Sequence, residues 1–486
     1  MTYAYEKIRE ICAALGARPY EKSFVPAQDG FALMADRGDE DCLVLSLPGA
    51  PFEGEQVSAV GEHVLLVPLT HGNAEALRAR FPFAAPSPVL TKERTLGVGD
   101  RLGIAGPGHI RAFERYDAYP VLAQQSIREL TLTGRTFEDV LDCASFAVFR
   151  EGFRRGFGAD GDHLKKPEEV EYAIRCGYTM ITLDCSEHIR NDISSMTDAE
   201  VEALPDTYAE LYRKYDGMEA DVEGTTLRFG GIQLRRTLHI YGAALDFAVS
   251  IYERFIKGAK VDFEISIDET ETPTSPLQHF FVASELVARG VSAATVAPRF
   301  CGEFQKGIDY IGDLARFEAE FAVHAAIARR FGYKISVHSG SDKFSVFPAV
   351  GRETRGRFHV KTAGTNWLEA MRLTARVSPS LYREIHAFAL AHFVEAKRYY
   401  HVTTDLSKIP PLASLSDGEL PALFDLNEAR QLIHITYGLI LSAGEDAGSL
   451  FKTRLYELWR AHADEYAALL SAHIGKHLEL LGVERL

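Results

Sequence analysis

Four groups of residues in this 486-residue chain carry side chains suited to proton transfer and metal ligation. In Lys334-Ile-Ser-Val-His-Ser-Gly-Ser-Asp-Lys343, Ser336, His338 and Gly340 share one face of an alternating strand and Ile335 and Val337 share the other. A histidine on that polar face suits a barrel wall with helices behind it and a polar site in front. In Ala159-Asp-Gly-Asp-His-Leu-Lys165, a regular strand would point Asp162 and His163 to opposite faces. Both reach one site only where the backbone turns, which Gly161 makes easy. The pair then offers a carboxylate base beside a metal-binding imidazole; otherwise it is a polar turn capping the next helix.

Over residues 260–268, Asp262, Glu264, Ser266 and Asp268 face one way and Phe263, Ile265 and Ile267 the other. A carboxylate turned into a barrel is costly unless it is paired, metal-bound or shifted in pKa for proton transfer. This parity favours Glu264 over Glu269 as a proton-transfer residue, with an ion pair to Lys361 as the structural alternative. The stretch from Arg299 adds Glu303, Gln305 and Lys306 in one loop. Histidines and oxygens arriving from separate strand ends can assemble a divalent-metal site. Arg299, Lys306 and Lys343 can clamp an anion, and Asp342 joins them as a candidate substrate contact.

These groups fall at the ends of short apolar segments. Strands are expected at 101–105, 119–124, 155–161, 178–184, 260–268, 291–299, 333–338 and 357–361, with helices such as 277–289 and 314–331 between them. Eight β/α units predict an α/β fold, a (β/α)8 TIM-type barrel over 96–365, with a doubly wound open sheet as the alternative. Residues 185–259 are too many for one crossover helix and read as an insertion after the fourth strand. They include a helix start at Thr197 and a helix near 235–257. Residues 1–95 form an N-terminal accessory region with short strands at 43–48 and 64–69. Residues 366–486 form a helical C-terminal region, with helices at 366–376, 381–400 and 448–482 and breaks at Pro410-Pro411 and Asp417-Gly418.

A net charge of −15 argues against a nucleic-acid surface, while a few local cations can still hold one carboxylate. Six scattered cysteines without a CxxC pair indicate a reduced, cytoplasmic chain. No signal-peptide core or membrane-spanning apolar run is present in the sequence.

Ala297-Pro-Arg-Phe-Cys-Gly-Glu-Phe-Gln-Lys-Gly-Ile-Asp-Tyr-Ile-Gly-Asp313 and Ser336-Val-His-Ser-Gly-Ser-Asp-Lys-Phe344 closely resemble the tagaturonate epimerases of hexuronate catabolism. Asp162-His163, Asp268-Glu-Thr270 and His359-Val-Lys-Thr-Ala-Gly364 fit the same family. The resemblance implies an isomerase that interconverts the sugar acids D-tagaturonate and D-fructuronate with a divalent metal such as Mn, Ni, Co or Zn. It implies Asp162 as proton acceptor and His163, Gln305 and His338 as metal ligands, with Glu303 as an alternative to Gln305. A glutamate near the fifth strand would be the proton donor; parity selects Glu264, with Glu269 and Glu271 nearby. The two sugars differ at C3, which is not α to the C5 ketone, so retro-aldol cleavage and re-addition is the expected route. The alternatives are a metal-dependent ketose isomerase or aldolase, and a barrel that only binds sugar acids. The sequence leaves the oligomeric state open, a homo-oligomer included.

Overall fold

The computed structural model describes residues 5–27, 30–47, 49–444 and 448–486. Eight parallel strands close into a barrel. In chain order they are β1 (Arg94–Val98), β2 (Tyr119–Ser126), β3 (Gly158–Leu164), β4 (Met180–Asp184), β5 (Asp262–Ile267), β6 (Thr295–Pro298), β7 (Lys334–Val337) and β8 (Phe358–Thr362). β8 returns to β1 in register from Phe358 opposite Arg94 to Thr362 opposite Val98, which closes the ring. The expected (β/α)8 barrel is therefore present, and the doubly wound sheet is excluded.

Alternation along each strand explains the two sides of the wall. Leu96, Val98, Phe263, Ile265, Ile267, Ile335, Val337, Phe358 and Val360 are buried in the main apolar core. Their neighbours one residue away face inward, and many of these are polar: Thr95, Asp160, Thr182, Glu264, Thr295, His359 and Lys361 are all buried. The first strand lies earlier than the pattern suggested. Residues 101–105 form no strand, because Leu102, Gly103 and Ala105 donate their backbone N–H groups to the Asp100 carboxylate at 2.8–2.9 Å. That turn leads into the helix Gly106–Phe113.

Helices α1 (Ile127–Thr133) and α2 (Phe137–Arg150) follow β2. Phe146 and Phe149 of α2 pack under an antiparallel sheet of the N-terminal residues, which contains strands Asp41–Ser46 and Glu62–Pro68 where short strands were expected. Pro48, at the end of the first expected strand, lies outside the described residues. Between β4 and β5 come short helices, a two-stranded ribbon (Glu219–Val222 with Thr225–Arg228) and the long α3 (Gly231–Ile251). Thr197 starts the helix Asp198–Glu202 with a capping box. In α3, Leu234, Leu238, Tyr241, Leu245 and Ala248 recur at helical spacing and are buried.

After β8 the chain is helical: α4 (Thr365–Val377), α5 (Pro379–Ala396), α6 (Asn427–Ile435), α7 (Lys452–Ala461) and α8 (Ala463–Leu480). The helix expected over 448–482 is broken at His462, whose φ of −118° and ψ of 29° lie outside the helical well. No described helix is long and apolar enough to cross a membrane. Trp459 of α7 meets Trp367 of α4 edge to face at 6.1 Å. Its Nε1 donates to Thr374 Oγ1 at 3.0 Å. Trp459→Ala is expected to cost about 3–5 kcal/mol by opening a cavity in this seam, read as a lowered midpoint in urea or thermal unfolding. A loss under about 1 kcal/mol would show that the seam does not hold α7 to the barrel.

Candidate active site

The C-terminal ends of the strands open onto a cavity of about 700 Å³. Its wall includes Asp162 and His163 from β3, Asp184 from β4, and Asp268 and Glu269 after β5. Arg299, Gln305 and Lys306 follow β6, His338 follows β7, and Lys361 comes from β8. Active sites of such barrels lie at this end, where loops are free to vary over a rigid frame.

Lys361 forms the floor. Its Nζ lies 2.7 Å from Asp160 Oδ2, 2.5 Å from Asp162 Oδ1 and 3.2 Å from Glu264 Oε1. It also donates to Thr182 Oγ1 at 2.6 Å. One ammonium thus joins β3, β4, β5 and β8 across the barrel interior. Burial pushes the Asp160 carboxyl up to about 6, opposed by the Lys361 charge and reinforced by Asp162 and Glu264. For Asp162 burial acts the same way, but His163 and Lys361 win and hold it well below the usual carboxylate range. The same contacts favour the carboxylate form of Asp162.

The turn that brings Asp162 and His163 together occurs at His163 itself, whose φ is +54°. The register with β4 slips there, from Gly161 opposite Ile181 to Leu164 opposite Leu183. Gly161 serves packing instead of the turn: a Cβ there would stand 2.9–3.3 Å from side-chain atoms of Leu164, Ala173 and Ile181. His163 Nδ1 donates to Asp162 Oδ1 at 2.6 Å. Beyond it, the His163 and His338 rings are 4.9 Å apart.

His338 Nε2 donates to Glu264 Oε1 at 2.7 Å. Its Nδ1 lies 3.2 Å from Asp268 Oδ1, yet is buried without a hydrogen bond of acceptable geometry. Burial alone would lower the His338 pKa, but the Asp268 and Glu264 carboxylates raise it to about 10. A buried imidazole nitrogen facing a carboxylate and a second histidine makes a donor set that could hold a cation once His338 gives up its proton. His163, Asp268 and His338 each offer a ligand atom within 4.8 Å of the others, as do His163, Asp184 and Glu269.

The remaining candidates separate by location. Glu264 pairs with Lys361, as the structural alternative held, and lies beneath the cavity, with Thr295 Oγ1 on its other oxygen at 2.5 Å. It is fully buried and is not itself part of the cavity wall, which it meets through His338 and Lys361. Glu269 does line the cavity, with its Oε2 3.3 Å from Lys165 Nζ, whereas Glu271 does not. Gln305 lines the cavity with its amide engaged: Oε1 accepts from the Thr403 N–H at 3.0 Å and from Gln431 Nε2 at 3.1 Å. Glu303 also lines it, 3.6 Å from the exposed His401.

Arg299 and Lys306 both border the cavity, Lys306 donating to Ser339 Oγ at 3.1 Å. Asp342 and Lys343 do not. Asp342 turns away onto Arg430 and His473, the latter at 2.5 Å. The Lys343 ammonium is spent on the backbone carbonyls of Gln305, Ile308 and Ser341 at 2.6–3.0 Å. Neither is placed to contact a substrate, because both side chains tie loops together behind the wall. Sequence reasoning passed over Asp160, although it shares the inward parity of Asp162, and Arg128, which borders the mouth.

Lys361→Met would leave three buried carboxylates without their cation. We expect a loss of about 3–5 kcal/mol in unfolding experiments. A variant within 1 kcal/mol of the parent would contradict the part assigned to Lys361.

Comparison with known proteins covers nearly the whole chain. The profile of the tagaturonate epimerase family (UxaE) matches residues 20–481. The chain is 43% identical over 480 residues to the tagaturonate/fructuronate epimerase of Thermotoga maritima, covering 96% of this chain and 97% of that protein. It is 50% identical to the fructuronate-tagaturonate epimerase UxaE of Cohnella laeviribosi, whose native crystal structure superposes with a TM-score of 0.94 over 99% of each chain. A crystal structure of the same protein with one glycerol superposes equally well, again over 99% of both chains. The barrel, the matched length and these identities agree: the chain belongs to the tagaturonate epimerase family.

Proposed function

We propose that this protein interconverts D-tagaturonate and D-fructuronate by retro-aldol cleavage and re-addition, with a divalent metal held by His163, Asp268 and His338. The observation that carries this reading is one cavity lined by an ionised Asp162, by Glu269 and by that donor set. The donors suit a borderline metal such as Mn, Ni, Co or Zn. Both histidines are backed by carboxylates, His163 by Asp162 and His338 by Glu264, which fixes their orientation. Gln305 would join as a ligand only by giving up its bonds to Thr403 and Gln431. When bound, the metal polarises the ketone and offsets negative charge that builds on its oxygen.

Asp162 accepts the proton of the C3 hydroxyl. The O–H electrons become the C3 carbonyl as the C3–C4 bond breaks, and the electrons of that bond form C4=C5 and place charge on the C5 oxygen. The aldehyde rotates and C4 attacks its other face, which re-forms C3–C4 with inverted configuration. Burial favours the neutral form of Glu269, but His163 and Lys165 hold its pKa below the ordinary value, with Asp268 opposing them, so it enters the reaction as a carboxylate. Glu269 sits on the open side of the cavity, where it takes a proton from water and hands it to the new C3 alkoxide. The hydroxide left behind is neutralised by the proton that Asp162 releases, which returns both carboxylates to their starting state. Each proton transfer contributes about 10²–10⁴-fold. All six cysteines are free, which fits a reducing compartment, and we place the reaction in the cytoplasm.

Chelator-treated protein incubated with D-fructuronate and Mn²⁺, Ni²⁺, Co²⁺ or Zn²⁺ should yield D-tagaturonate by NMR, with no deuterium entering C3 in heavy water. Conversion independent of metal, or deuterium at C3, would overturn the mechanism. An aldose would identify an isomerase instead, and two three-carbon fragments an aldolase.

A further inference from the structure

The cations of the cavity wall divide into paired and unpaired ones. Beside the donor set Lys361 has three carboxylates, and Lys165 lies 3.4 Å from Asp184 and 3.3 Å from Glu269. Among the described residues of the wall, Lys306 and Arg128, like Arg299 and Lys166, have no carboxylate within ion-pair distance, although the charge of Glu269 reaches both Lys306 and Arg128. Lys306 bonds only to the Ser339 hydroxyl, and Arg128 lies over the Tyr400 ring at 5.1 Å. The cations behind them are already neutralised, Arg101 by Glu129 at 2.9 Å and Arg430 by Asp342.

His434 of α6 stands on the same wall. It is 1% exposed, and neither ring nitrogen has a hydrogen-bond partner. Two glycines of the motifs noted in the sequence pack against the ring. A Cβ on Gly307 would lie 2.7 Å from Nδ1, and one on Gly364 would collide with Cε1 and Nε2. The ring is thus held in place by backbone while its polar atoms go unused. Leaving buried donors and acceptors unpaired is costly, and a native site that does so is built for a ligand or an ordered water. Burial, with Arg101 and Lys306 nearby, keeps the imidazole neutral, so it has one N–H to donate and one nitrogen to accept.

We propose that His434, with Lys306 and Arg128, forms the subsite that receives the carboxylate of the sugar acid, so that the helical C-terminal region supplies a specificity-determining residue. This rests on the functional reading above and deepens it. A chain of six carbons held with its ketone at the donor set would carry its charged end toward these unpaired cations. The same wall would give a neutral sugar's hydroxymethyl group far less.

The test uses a pair of non-reacting ligands that differ only in the end group, D-gluconate and D-sorbitol. Their binding is measured by titration calorimetry on full-length protein loaded with Mn²⁺. The parent should bind gluconate about tenfold or more tighter than sorbitol. His434→Leu and Arg128→Met should each remove most of that preference while leaving sorbitol binding within about threefold. His434→Gln, which keeps a donor and an acceptor, should restore it. Arg128 borders the mouth and its replacement does not disturb the core, so it remains informative if His434→Leu folds poorly. A parent without preference for gluconate, or both variants retaining it, would overturn the subsite. Because no turnover is needed, a failure to epimerise D-fructuronate is distinguishable from a failure of this subsite.

Discussion

A lysine inside the barrel is the constraint on which the rest of the site depends. Barrel interiors are ordinarily filled by branched apolar side chains in layers. Here Asp160, Asp162 and Glu264 converge on Lys361, with Thr182 donating to Asp160 and Thr295 to Glu264. Three carboxylates in a dry interior would not stay ionised alone, and one ammonium would not stay charged without them. Together with the two threonines they stand as a crosslinked layer spanning five strands. At the top of that layer Asp162 meets the cavity as a carboxylate, and Glu264 meets His338 from below. The catalytic end is therefore a polar layer resting on another polar layer, and the lower one fixes the geometry of the upper.

The backbone contributes strain where it is useful. His163, Ser339 and Asp342 have φ of +54°, +50° and +62°. Non-glycine residues adopt this region only when their surroundings compensate for it. At His163 the compensation is the Asp162 hydrogen bond and the slipped register with β4. At Asp342 it is the pairing with Arg430 and His473, which draws α6 and α8 onto the loop after β7. The loop after β6 is held in the same way, through Gln305 to Thr403 and Gln431. The C-terminal helices thus lock two of the loops that bear site residues.

Much of this was legible in the residues. Alternation at 260–268 and 334–338 gave the inward face of both strands correctly, and the adjacency of Asp162 and His163 announced a turn. What parity cannot report is depth along the barrel axis. Glu264 and Asp268 share a face, but only the later one rises to the cavity. The same blindness put Asp342 and Lys343 in the site, since a left-handed residue at 342 redirects the chain behind the wall. The first strand was misplaced because Arg101-Leu-Gly-Ile-Ala105 is apolar enough for a strand, while Asp100 recruits its N–H groups into a turn. Residues from α6, about 70 positions beyond β8, carry no local signal tying them to the cavity.

The central claim is a division of labour between two glutamates: Glu264 supports the His338 imidazole, and Glu269 transfers a proton. Metal affinity and turnover measured on Glu264→Gln and Glu269→Gln test it directly. The account requires Glu264→Gln to weaken metal binding by about 10–100-fold, and Glu269→Gln to keep the parent's affinity while losing turnover by about 10²–10⁴-fold. Full metal affinity with abolished turnover in Glu264→Gln, together with an active Glu269→Gln, would contradict it.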